Sequence, residues 1–103
     1  THTIHDRHQD HRAAHRATLI ACRRVPQVFA YQSPSTEIAF RPSRFIDIAE
    51  TLEAKLELLA AYDSQVQKRA YLQAEQIRAT ARYWGRFANY GAVEPLEVLR
   101  ATS

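Results

Sequence analysis

Apolar residues recur along this chain at two spacings, one helical and one extended, and their order predicts the elements. Thr1 to Asp10 is polar and reads as a loop, with Asp10 placed to cap a helix through its carboxylate. From His11 to Arg24 strong helix formers follow, with Ala13, Ala17, Ile20 and Arg24 on one stripe and Ala14 and Ala21 beside it. Pro26 cannot continue that helix. Val28 to Tyr31 reads as a strand, residues 32–36 and 41–43 as loops, and Phe45 to Ile48 as a second strand buried on at least one face.

Asp47 and Glu50 have capping-box spacing, which predicts a helix from about Ala49 to Gln65 with Leu52, Leu56, Leu59 and Val66 inward. A third helix is expected from about Ala70 to Phe87, since Ala70, Ala74, Ile77, Ala81 and Trp84 repeat on one face. Asn89-Tyr90-Gly91 signals a turn, and Val93 to Leu99 a last strand whose Pro95 argues for an edge position. The fold class is therefore α/β, with three helices and about three short strands. An alanine-faced first helix needs a partner surface, and these few strands do not obviously supply one.

Composition changes this picture little. A 103-residue chain with 46% hydrophobic and 24% charged residues is an ordinary globular length for one domain. The formal charge of +3 is scattered beside glutamates, with no basic block interleaved with aromatics, so no nucleic-acid partner is expected. No stretch is apolar enough for a membrane span, and the polar start has no signal-peptide core. The single cysteine, Cys22, cannot form an intrachain disulfide, which fits a reducing, cytoplasmic setting; it reads as a small buried residue of the first helix.

The candidate chemistry is concentrated at the start. All five histidines, His2, His5, His8, His11 and His15, fall in the first fifteen residues, spaced three or four apart, with Asp6 and Asp10 among them. Such spacing brings imidazoles together, and a carboxylate can serve as a ligand or orient one. The cluster predicts metal binding, with zinc the default for His and Asp donors. Spacing alone leaves the ligands open, and a low-specificity chelating tail fits it too. Ser33, Ser35 and Ser64 have no base at a motif-like distance and read as loop and helix-end residues. Arg41, Arg82 and Glu94 read as surface pairs and Trp84 as core, with Tyr83 and Phe87 left open.

His8-Gln9-Asp10-His11, followed by Arg12-Ala13-Ala14-His15, resembles the C-terminal metal motif of the LmbE/PIG-L deacetylases. The likeness continues in order through Arg23-Arg24-Val25-Pro26, Tyr31-Gln32-Ser33-Pro34-Ser35, Phe40-Arg41-Pro42, Phe45-Ile46-Asp47-Ile48, Lys55-Leu56 with Ser64-Gln65, Ile77-Arg78-Ala79 and Glu94-Pro95. The resemblance implies the C-terminal part of a Rossmann-like fold and a zinc-dependent hydrolase that removes acetyl from an N-acetylated sugar by attack of a metal-activated water. It implies His11 as a zinc ligand, His8 as the group beside the substrate carbonyl and Asp10 as its orienting carboxylate. The family's other motif, Ala-His-Pro-Asp-Asp-Glu, has no counterpart in residues 1–103. Asp47 and Asp63 have no neighbouring histidine and do not replace it. The remaining ligands are therefore expected from a missing N-terminal half, and the chain alone is expected to be inactive. Exposed apolar surface and self-association are expected on the same ground. The alternatives are a non-catalytic oligomerising fragment or a histidine-rich metal-binding module.

Overall fold

The computed structural model describes residues 1–62 and 67–102. The elements follow the expected order: α1 (Gln9–Ala21), β1 (Gln27–Tyr31), β2 (Arg44–Asp47), α2 (Leu52–Tyr62), α3 (Gln67–Gly85) and β3 (Val93–Ala101). The fold is α/β, with three helices and a three-stranded antiparallel sheet in the order β1-β3-β2. Two compact units are present, Thr1–Arg44 with Pro95–Ser103, and Phe45–Glu94.

In the first unit, β1 pairs antiparallel with β3 from Gln27 opposite Ala101 to Tyr31 opposite Leu96. A register shift between Val28 and Phe29 leaves Leu99 as a bulge. Val28 and Ala30 point inward with Phe40. The first residues are not a free loop. Tyr31 N–H donates to the Thr1 carbonyl at 2.9 Å and Thr3 N–H to the Tyr31 carbonyl at 3.3 Å, so this segment runs parallel beside β1. Thr3 is fully buried, and its hydroxyl donates to the Glu97 carboxylate.

Several expectations about this unit are corrected. The cap of α1 is His8, in extended conformation, and not Asp10, which lies in the first helical turn where its charge suits the helix dipole. The stripe of Ala13, Ala17, Ile20 and Arg24 faces solvent, and the helix turns His11, Ala14, His15, Thr18 and Cys22 inward. A polar face wins because its hydrogen-bonding groups find partners in the N-terminal segment, as His15 Nδ1 does on the His2 carbonyl at 2.8 Å. Cys22 is half-buried at the C-cap, with α1 ending before Arg24. Pro95 lies in the central strand instead of an edge. It is tolerated because β1 pairs only from Leu96 onward, so the missing N–H falls where that ladder has stopped.

In the second unit, Ile48, Leu52, Leu56, Ala81 and Ala92 form the core, with Ala74 and Ile77 packed against it. The expected stripe of α3 is thus recovered through Ala74, Ile77 and Ala81. Leu59, expected inside, is exposed, as is most of β2, whose Ile46 stands in solvent. Asp47 Oδ1 accepts from Ala49 N–H at 3.0 Å, a local turn that delays α2 to Leu52. Lys55 pairs with Glu94, and Arg78 with Glu53 at 2.7 Å. Trp84 is half-buried against Phe45, while Tyr83 and Phe87 are exposed. α3 ends at Gly85, where an added Cβ would meet the Tyr90 carbonyl oxygen at 2.4 Å, and the turn then closes through Asn89 at φ 59°. Asp63, Ser64, Gln65 and Val66 lie outside the described residues, as does the side chain of Ala70. Among the described residues no helix is long and apolar enough to cross a membrane.

Candidate functional site

The site is built in the first unit around one buried carboxylate. Asp6 is 1% exposed. Its segment pairs with the loop after β1, through Arg7 N–H to the Ser35 carbonyl at 3.1 Å and Glu37 N–H to the His5 carbonyl at 2.8 Å. Arg12 fixes the same segment by donating to the Asp6 and Arg7 carbonyls at 2.7 and 2.8 Å. This brings Ser33 and Ser35 onto the carboxylate: the Ser33 hydroxyl donates to Oδ2 and the Ser35 hydroxyl to Oδ1, each at 2.6 Å. His8 N–H donates to Oδ1 at 2.9 Å, and His11 Nδ1 lies 3.0 Å from Oδ2. Burial pushes the Asp6 carboxyl up, but the hydrogen bonds from Ser33, Ser35, the His8 backbone and His11 outweigh it and hold the group well below the usual carboxylate range. Asp6 is therefore an anion that can only accept, and neutral His11 must carry its proton on Nδ1. The lone pair of His11 is then on Nε2.

His8 takes the opposite form. Its Nδ1 accepts from Asp10 N–H at 3.1 Å as part of the helix cap, and a backbone N–H has no alternative role. Neutral His8 therefore carries its proton on Nε2. The two rings are stacked, 4.4 Å between centroids and 14° from parallel. Two adjacent imidazoles thus differ in kind: His11 offers a lone pair and His8 a donor. His2 also stacks on His11, at 3.8 Å between centroids and 4° from parallel. The His2 ring meets the Tyr31 hydroxyl through Nε2 at 3.2 Å, and its buried Nδ1 has no partner among the described residues. Burial, then the neighbouring His11, lowers the His2 pKa, with Asp6 opposing.

His2, Asp6 and His11 each offer a metal-ligating atom, all within 4.8 Å of one another. They do not fit a shared ion as they stand. Both Asp6 oxygens already accept from two donors each. The His2 and His11 rings are nearly parallel, so their in-plane lone pairs run side by side and do not converge. Asp6 sits behind Nδ1 of His11, and Nε2 is the ring nitrogen left with its lone pair.

Of the residues singled out in the sequence, His8 and His11 are brought together. Asp10 is exposed, and its contact at the site is through its backbone N–H. His15 is buried and structural, and His5 contributes its backbone. Sequence reasoning did not foresee the role of Ser33 and Ser35. They stand 27 and 29 residues from Asp6, and no local spacing announces such a pairing.

Over 51 residues the sequence is 45% identical to a protein of Escherichia coli (strain K12) named uncharacterized deacetylase YaiS, a relationship to a deacetylase. The match takes in 48% of this chain and spans only 28% of that protein's length. No family model and no solved structure matches the chain.

Proposed function

We propose that residues 1–103 are the C-terminal segment of a Rossmann-like LmbE/PIG-L-type deacetylase, and that the whole protein removes acetyl from an N-acetylated sugar with a bound zinc ion. The observation that carries this reading is that His8 and His11 stack while their Nδ1 atoms meet opposite kinds of partner, a backbone N–H and a carboxylate. Amide hydrolysis needs a lone pair and a donor side by side. His11 Nε2 is the ligand this chain gives to the metal, which when bound activates water and polarises the amide carbonyl. His8 Nε2–H would donate toward the carbonyl oxygen as negative charge builds there, while the proton given up by the attacking water would pass to the leaving nitrogen, which cannot depart as an anion. Asp10 sets the His8 proton state through its backbone N–H. The YaiS similarity supports the hydrolase class.

One ligand from this segment makes a weak site, so the chain alone is expected to bind Zn2+ loosely and to release acetate more than tenfold more slowly than a full-length relative. Competition titration with Zn2+ tests the ligand. His11→Ala is expected to weaken binding at least tenfold and His5→Ala to leave it unchanged. Equal losses for His2→Ala or His5→Ala would instead assign the histidines to an unspecific chelating segment.

A further inference from the structure

We infer that Asp6 is a positioning residue for metal binding, acting through Nδ1 of His11 and itself held by Ser33 and Ser35; the inference rests on His11 being the metal ligand. Asp6 touches no solvent, and all its acceptor positions face protein donors, so it can act only through a neighbour. A buried carboxylate served by neutral donors is not explained by stability, because apolar residues filling the same space cost less desolvation. What the carboxylate does that an apolar residue cannot is fix a proton. Each serine hydroxyl has one hydrogen and gives it to Asp6, leaving the carboxylate no freedom to rotate away from His11. With Nδ1 committed, the His11 lone pair stays on Nε2, and its basicity as a ligand rises. Asp6 also ties the two rings together, since its Oδ1 accepts from His8 N–H while Oδ2 meets His11. The residue that orients the ligand thereby also seats the helix cap that orients the donor.

The test is Asp6→Asn on the 103-residue chain, read in two independent ways. Long-range 1H–15N correlation at pH 8 reports which nitrogen of each histidine is protonated, without any metal. Zn2+ competition reports affinity. In Asp6→Asn, the Ser35 hydroxyl and His8 N–H claim the amide oxygen at the Oδ1 position, which turns the amide nitrogen toward Ser33 and His11. His11 is expected to lose its Nδ1–H preference, and Zn2+ affinity to fall 10–100-fold. A folded Asp6→Asn with His11 still protonated on Nδ1 and affinity within twofold of wild type would overturn the inference. If Asp6→Asn does not fold, the Ser33→Ala/Ser35→Ala double variant keeps the carboxylate but frees it. It is expected to show mixed His11 proton states and an intermediate loss of affinity; no change in either overturns the inference. Failure of the wild-type chain to bind Zn2+ at all counts against the metal reading instead, while the proton state of His11 still decides the part played by Asp6.

Discussion

Removing the two serine hydroxyls tests the electrostatics of the site most quantitatively. Ser33 and Ser35 each donate to the Asp6 carboxylate at 2.6 Å, inside a segment where Asp6 is 1% exposed. A hydrogen bond to a charged group contributes about 1.5–3 kcal/mol, so each Ser→Ala change is expected to destabilise by that much. Together they leave a buried anion half-served, with a loss of about 3–5 kcal/mol, a large share of the stability of a small domain. The sign with pH follows from the Asp6 shift. Its folded pKa lies below its unfolded value, so its stabilisation is complete above the ordinary carboxylate range and drains away as pH falls below about 4. The variants raise the folded pKa toward normal. Their deficit is therefore largest at pH 7 and narrows toward pH 3, because there the variant carboxyl is already protonated while wild type continues to lose stability. Urea unfolding at pH 7, 5 and 3 measures this. A double variant within about 0.5 kcal/mol of wild type at pH 7, the range of a neutral surface change, would refute the reasoning. So would a deficit that grows toward acid.

Further consequences concern the frame around the site. His15→Ala removes the donor to the His2 carbonyl and is expected to cost about 1–3 kcal/mol, read by urea unfolding, with loss of the His2–His11 stacking signature in NMR ring shifts. Gly85→Ala is expected to cost about 3 kcal/mol, because its Cβ would meet a backbone oxygen at 2.4 Å that has no side-chain freedom to yield. Gly91→Ala, with open space around it, is the matched control and is expected to be neutral. The outward face of α1, with Ala13, Ala17 and Ile20 in solvent, is expected to drive self-association, visible as concentration-dependent sedimentation that Ile20→Glu abolishes. A sharp monomer at high concentration would contradict that.

Periodicity carried the fold well where apolar residues decide it. The order of all six elements, the Ala74-Ile77-Ala81 face and the Leu52-Leu56 pair were legible because burial of these side chains is what holds the second unit together. It failed where polar groups decide. α1 shows an alanine stripe to the reader, yet docks through His11, His15 and Thr18, because those groups have partners and alanines have little area to bury. Pro95 reads as an edge residue because a sequence does not show where a neighbouring strand stops pairing. At the site, the histidine cluster and its flanking carboxylates were visible, but not their division of labour. That division depends on a loop almost thirty residues away bringing two hydroxyls to Asp6, and on His8 displacing Asp10 as the helix cap.

The central claim is that His8 and His11 stand side by side in opposite proton states. Long-range 1H–15N correlation of the metal-free wild-type chain at pH 8, above the ordinary histidine range, measures this directly. The expected spectrum has His8 protonated on Nε2 and His11 on Nδ1. The same nitrogen protonated in both rings, or the reverse assignment, would contradict it.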